Sequence, residues 1–479
     1  MKNISKFLMG LVIATGLLLP ACSDEYLDLD PQTSLSADMA IGNIKDAQVA
    51  LIGIYDGIQS TEFYYGRNYV VTADIASDDV MVSPSNSGRF LAQFNYNVIA
   101  SNGDNASFWN RAWLAINRAN NVINKIDNIE DGTQAARDQI LGEALTLRAL
   151  IHFDLARMYG KPYGWDANAL SVPYMEEAAI GEPARETNQV VYDKIMADIN
   201  RAIPLLTEDR EPVYVSEYVA KALLARVYLY MDNFEQAAIT AVDVIDNGGY
   251  TLTPNEEYVA GWAEPFTGES IFSVSKIATD YGATNALGYI YLESGYGDLF
   301  PTEEIVSLLE NAGNTEPGDD VRYDAFLKYE EGDDALFINK FPGRGGQAGL
   351  DNTPILRLSE MYLIAAEAYA RQASPDLEKA RFYLNAIRER GNPDATAITT
   401  DNAQALAELI YLEKRIEFAF EGHRFFDIRR RKEDLIRGDD CISNACAVMY
   451  GDDRFVYPIP QREMDANPNM VQNPGYGSN

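Results

Sequence analysis

The sequence predicts an all-α protein, a scaffold of paired helices broken by two long irregular stretches with a few short strands. Three observations carry this: six segments share one helical spacing, the buried face of those segments is rich in alanine, and residues 60–107 and 250–350 lose the spacing.

The helical segments are taken in order. They are FWNRAWLAINRANNVINKI from Phe108, EALTLRALIHFDLARMYG from Glu143, VVYDKIMADINRAIPLL from Val190 and SEYVAKALLARVYLYMDNFEQAAITAVDVI from Ser216. ILRLSEMYLIAAEAYAR from Ile355 and LEKARFYLNAIRERG from Leu377 complete the set. In the fourth, Ala220, Leu223, Leu224, Val227, Tyr228 and Met231 fall on one face; in the fifth, Met361, Ile364, Ala365 and Ala368 do so. Alanines on that face let paired helices approach closely, and the short turn Met231-Asp232-Asn233-Phe234 is similar to the turn of tetratricopeptide helix pairs. In the intervening stretches SIFSVSKI from Ser270 and ALFINKF from Ala335 read as short strands.

The N-terminus is a separate signal. Lys2 and Lys6 precede an apolar run from Phe7 to Leu19, the layout of a secretory leader, and the run is too short to span a bilayer. Leu19-Pro20-Ala21-Cys22 resembles the lipobox of bacterial lipoproteins. The expectation is therefore a leader over residues 1–21, lipidation at Cys22, and a body over 22–479 held on a membrane by its lipid.

The formal net charge is −33 over 479 residues, and loss of the two leader lysines takes it to −35. A chain this acidic is a poor partner for nucleic acid. Beyond Cys22 only Cys441 and Cys446 remain, five apart in CISNAC, and export makes a disulfide between them the expectation. His152 and His423 are the only histidines, so no zinc set is expected; the GDD clusters at 332–334, 438–440 and 451–453 lack EF-hand spacing, and no metal or other cofactor is expected.

Long loops on a regular scaffold are where function concentrates. Tyr, Phe and Trp rings stack on the C–H face of a sugar, while Asp, Asn and Arg bond its hydroxyls. The first loop offers Tyr65, Asn68, Asp78, Arg89, Phe90 and Tyr96; the second offers Tyr289, Tyr291, Tyr296 and Arg344. Trp109, Trp113 and Trp262 sit in or beside regular apolar patterns and read as packing residues, while Trp165 is left open.

The stretches Cys22-Ser-Asp-Glu-Tyr-Leu-Asp-Leu-Asp-Pro31, RALIHFDLARMYGKPYG from Arg148, EKRIEFAFEGHRFFDIRR from Glu413 and VYPIPQREMDANPNMVQNPGY from Val456 together resemble the SusD/RagB family of nutrient-binding outer-membrane lipoproteins. The resemblance implies four tetratricopeptide-like helix pairs (mainly residues 22–60, 108–250 and 355–435) packed on a loop-rich ligand-binding subdomain (mainly 60–107 and 250–350). It also implies a non-catalytic, surface-exposed receptor that passes oligosaccharide or polysaccharide fragments to a SusC-like TonB-dependent transporter.

Two other functions compete. Glu413, Glu417 and Glu421, with Asp427, Arg415, Arg424 and Arg429, could in principle serve a glycoside hydrolase. Their i, i+4, i+8 spacing puts the glutamates on one helix face, where arginine partners are the simpler expectation. A peptide-binding tetratricopeptide scaffold is the other.

Overall fold

The computed structural model describes residues 41–477 apart from 61, 179–180, 266–267, 315, 317 and 330–334; the leader, Cys22 and the GDD cluster at 332–334 lie outside the described residues. In chain order the elements open with α1 (Ile44–Gln59), α2 (Asn68–Ile75), β1 (Val80–Val82), α3 (Leu91–Phe94), α4 (Gly103–Lys125), α5 (Gln134–Tyr159) and α6 (Asn188–Ala202). There follow α7 (Glu217–Tyr230), α8 (Phe234–Asn247), α9 (Asn255–Gly261), β2 (Ser270–Val274), α10 (Leu287–Tyr291), β3 (Leu299–Pro301) and α11 (Glu303–Glu310). Then come α12 (Val321–Phe326), β4 (Leu327–Tyr329), β5 (Leu336–Ile338), β6 (Thr353–Arg357), α13 (Leu358–Arg371), α14 (Leu377–Gly391) and α15 (Ala403–Glu417). The chain closes with α16 (Arg424–Arg430), β7 (Leu435–Ile436), β8 (Ala447–Val448) and α17 (Gln461–Ala466).

The scaffold helices start where the sequence supplies a cap. Asn43 accepts from the Asp46 amide, Asn102 from Asn105, Thr133 from Ala136, Asp376 from Lys379 and Asn402 from Ala405, at 2.9–3.1 Å. Each bond satisfies an amide that a helix start leaves unpaired.

Packing then follows the small residues. Helices α1 with α4, α5 with α6, α7 with α8 and α13 with α14 form four pairs, and α8 packs on α13 across the second insertion. Gly57 of α1 lies so close to α4 that a Cβ there would come within 2.9 Å of the Ala115 Cβ. Helix α5 is buried on every side from Gln139 to Tyr159, which makes it the axis of the scaffold. On the sequence-predicted faces of α7 and α13, Ala220, Leu223, Leu224, Val227, Met361, Ile364, Ala365 and Ala368 are buried. Tyr228 and Met231 are half-buried.

Two insertions interrupt this frame, one between α1 and α4 and one between α8 and α13. Among the described residues there are four antiparallel strand pairs: β1–β3 joins the two insertions, β2–β6 and β4–β5 lie within the second, and β7–β8 follows α16. The expected strands at Ser270 and Ala335 are β2 and β5. The first insertion also contains α2, which the sequence pattern does not announce because every one of its residues is buried and no polar face marks its period.

Candidate ligand-binding site

Pairing of β1 with β3 sets Val80 opposite Pro301 and Val82 opposite Leu299, so the two insertions become neighbours. Asp298, just before β3, then fastens the first loop to the second. Its carboxylate accepts from the Ser87 amide at 2.7 Å and the Ser87 hydroxyl at 2.8 Å, and pairs with Arg89 at 3.2 Å. Its carbonyl accepts from Asn86 at 3.0 Å and from the Ser83 amide at 2.9 Å.

That anchoring aims Arg89. Its guanidinium lies 3.9 Å over the Tyr296 ring, and Tyr296 meets Tyr289 edge-on at 5.1 Å and 74°. Arg89, Tyr289 and Tyr296 are all half-buried. Beneath them Arg67 donates to Asn68 at 2.8 Å and reaches Asn285 at 3.4 Å, and Asn68 donates to Asp104 at 3.1 Å. Burial lowers the Arg67 guanidinium from its ordinary value; Glu62 and Asp104 oppose this and Arg89 adds to it. The structure thus gathers Arg89, Tyr289 and Tyr296 from the sequence candidates into one patch, while Asn68, 3% exposed and bonded to Arg67 and Asp104, is a buried support and not a surface contact. Arg67 and Asn285 join it although sequence reasoning passed over them; Arg67, a cation between Gly66 and Asn68 in an aromatic run, was the available signal.

The other candidates have structural places, and here the sequence expectation is corrected. Tyr65 is 4% exposed and, with Tyr64, donates to one oxygen of Asp154 at 2.7 and 2.6 Å; Tyr69 donates to the other at 2.9 Å, where Arg157 also bonds. A buried carboxylate calls for such partners, and the tyrosines supply them. Tyr291 is fully buried, stacks on Phe341 and donates to Asp74 at 2.7 Å. Asp78 is held by Arg424 through two bonds of 2.7 Å. Phe90, at φ 59°, and Tyr96, at φ 52°, are buried in left-handed backbone, a conformation such residues keep only where packing imposes it. Arg344 is engaged by the Lys276 carbonyl and by Asn352 at 3.2 Å. Trp165 donates to the Arg429 carbonyl at 2.6 Å and packs edge-on against Tyr450.

The charged C-terminal constellation is an internal network. Glu417 accepts from Arg390 at 2.6 Å, Arg357 at 2.9 Å and Arg322 at 3.2 Å; Glu413 pairs with Arg322 at 2.6 Å and Glu421 with Lys340 at 2.7 Å. Burial alone would raise the Glu417 pKa, but Arg390, Arg357 and Arg322 carry it well below the carboxylate range. The same logic covers Arg430, paired with Glu367 at 2.7 Å, and Arg148, paired with Asp198 at 2.7 Å. Each guanidinium binds its carboxylate in the two-pronged geometry arginine favours. His152 stacks 3.8 Å from Tyr174, accepts from the Met175 amide at 3.1 Å, and is lowered by burial to about 3, a neutral packed ring. Cys441 and Cys446 form a disulfide with Cα atoms 5.9 Å apart. Among the described residues no group of three or more His, Cys, Asp or Glu is arranged to hold a metal ion, and no helix is long and apolar enough to cross a membrane.

Paired helices carrying a loop-built aromatic and arginine patch define the class: a helical-repeat protein with two inserted loop-rich regions. The chain belongs to the SusD family. The family model described as "SusD family" matches residues 336–476, and that described as "Starch-binding associating with outer membrane" matches residues 25–229. A SusD superfamily protein from Bacteroides thetaiotaomicron superposes with a TM-score of 0.83 at 31% identity, over 90% of this chain and 100% of the other. A "SusD-like carbohydrate binding protein" from Bacteroides vulgatus does so with 0.78 at 25% identity, over 90% and 98%. "SusD-like protein P2" of Formosa agariphila is 27% identical over 96% of this chain and 98% of its own length.

Proposed function

We propose that the protein is a non-catalytic glycan receptor, lipid-anchored through Cys22 on the outer face of the outer membrane. It captures oligosaccharides and hands them to a SusC-like TonB-dependent transporter. The observation that carries this reading is the Arg89–Tyr296–Tyr289 patch, where a cation fixed over one phenol leaves two rings at an angle for a sugar and keeps guanidinium protons for its hydroxyls. Names of relatives that refer to carbohydrate, starch and the outer membrane support the ligand class and the location.

The chemistry is capture without bond cleavage. Glu413, Glu417 and Glu421 are buried and consumed by arginine and lysine partners, which leaves these carboxylates no open approach for a glycosidic bond, and the arginines around Glu417 hold its carboxyl ionised. A patch of half-exposed side chains on loops pinned by Asp298 needs little rearrangement to bind, and its modest contact area favours release to the transporter.

The test is affinity electrophoresis of the purified protein through gels containing neutral polysaccharides. Tyr296→Ala and Arg89→Ala are expected to lose most of the retardation shown by the parent chain, with no reducing sugar released by either. Retardation unchanged in both variants would remove the patch from the binding account.

A further inference from the structure

A second cleft, of about 340 Å³, shares no lining residue with the loop patch and lies between α4, residues 173–178 with Gly181 and Pro183, and α17. Its floor comes from helical spacing: Trp109, Trp113 and Asn117 follow one another at i, i+4 and i+8 along α4. The two indoles meet at 64° with centres 5.4 Å apart, so they form a corner and not a parallel stack. Trp109 is buried in the core, while Trp113, which its apolar context marked as a packing residue, is only partly covered and lines the cleft.

The polar rim is built as carefully as the floor. Glu463 of α17 accepts from the Trp109 indole at 3.4 Å and from Asn467 at 3.1 Å, which fixes its carboxylate at the edge of the cleft. Asn117 is exposed one turn beyond Trp113, and Asn121 lies one turn further along the same side. Met470 closes the apolar wall. Among the described residues no lysine or arginine lines the cleft, while Glu463 and Glu177 do, so an anionic ligand is disfavoured at a protein already carrying a net charge of −33. The partly open Trp113 indole, two carboxamides and a fixed carboxylate match the C–H face and hydroxyls of a neutral sugar. The volume stands near the low end of ligand pockets, roughly 300–1,000 Å³, which suits one or two rings and not a long chain.

We propose that this cleft is a second carbohydrate site, taking one or two neutral sugar rings, separate from the Arg89–Tyr296 patch. The ligand class rests on the receptor reading, but the residues do not overlap. Two separated sites on one lipid-tethered receptor would raise retention of a long polymer by effective concentration while each site stays weak enough to let go.

The four tryptophans of the chain make the test selective, because the loop patch contains none of them. The purified protein is titrated with a panel of neutral hexaoses (malto-, cello-, xylo-, manno- and laminari-) while tryptophan emission is followed. In parallel, retardation in polysaccharide gels reports total binding. The expected result is an emission shift in the parent chain that survives Tyr296→Ala and weakens at least tenfold in apparent affinity in Trp113→Ala and in Asn117→Ala. The exposed Asn117 variant keeps the test open should loss of Trp113 disturb folding. Gel retardation abolished by Tyr296→Ala, with no emission shift from any sugar in the parent, would overturn the second site and leave the receptor reading standing. Absence of both retardation and shift would overturn both. A shift produced by tetramethylammonium and by none of the sugars would make the cleft a cation cage, and the proposal would fall.

Discussion

Single side chains in this protein are decided by what buried charge requires. Asp154 illustrates it: three tyrosine hydroxyls and Arg157 converge on one carboxylate. Asp154→Ala is expected to cost about 3–5 kcal/mol in denaturant unfolding, because the partners stay buried without it. Asp74 behaves differently. Burial raises its carboxyl to about 8, against the bonds from Tyr291 and Gly422 and the attraction of Lys340, with Asp79 adding to the rise. The folded chain therefore holds this proton more tightly than the unfolded chain, whose ordinary value is 3.8, and stability from this group falls as pH rises from about 4 to about 8. Asp74→Asn removes that titration. Its stability relative to the parent is expected to improve with pH across that window, by up to about 1.4 kcal/mol per unit, and to level off above it; equal pH profiles for the two proteins would contradict the assignment.

Between elements, short strands and side-chain clamps do what long sheets do elsewhere. The β7–β8 hairpin is pinned to the first insertion by Arg437, which donates to the carbonyls of Ser77 at 3.0 Å, Phe94 at 2.6 Å and Ile75 at 2.9 Å, and by Ser443, which donates to Phe94 at 2.8 Å. The Cys441–Cys446 bond closes that hairpin's loop. Cys441→Ser with Cys446→Ser is expected to lower stability by about 2 kcal/mol on the chain-entropy account of a short loop. Thermal melts of the oxidised parent and the double variant measure it directly. Asp298→Ala should act on the other clamp. It frees Ser87 and Arg89 from β3, so ligand retention is expected to fall while the melting temperature moves little, a separation that a simple core defect would not give.

At the scale of the whole molecule, a buried ionic network joins the helical scaffold to the inserted region. Arg357 at the end of β6 contacts Glu269, Glu417 and Glu421; Arg390 of α14 contacts Glu269 and Glu417; Arg322 of α12 contacts Asp320, Glu413 and Glu417. Glu417→Gln leaves three guanidiniums short of a counter-charge and is expected to destabilise by about 3–5 kcal/mol, in one transition that includes both regions. Because the folded Glu417 pKa lies below its unfolded value of 4.5, its contribution is complete above about that pH and is lost as pH falls through the folded value. Acid unfolding followed by far-ultraviolet dichroism should therefore start at lower pH in the parent chain than in Glu417→Gln, whose network is already broken.

The amino-acid sequence alone determined the helix segments, their alanine-lined faces, the caps that start them and the two places where the repeat gives way to loops. Those features are local, written in 3.6-residue spacing and in residues such as Asn102 and Thr133 whose side chains bond three positions on. It marked Arg89, Tyr289 and Tyr296 by composition, yet composition marked Tyr65 and Tyr291 equally well. Only tertiary structure divided them: Asp154 and Asp74, distant in the chain, needed hydroxyl partners and drew Tyr65 and Tyr291 inward, while β1–β3 pairing left Tyr289 and Tyr296 at the surface beside Arg89. Trp113, whose helical spacing reads as packing, does pack on the core through Trp109 and His152, and it also lines the cleft. Whether a helix face is covered depends on which segments pack against it, and α17, some 350 residues along the chain, leaves that one partly open.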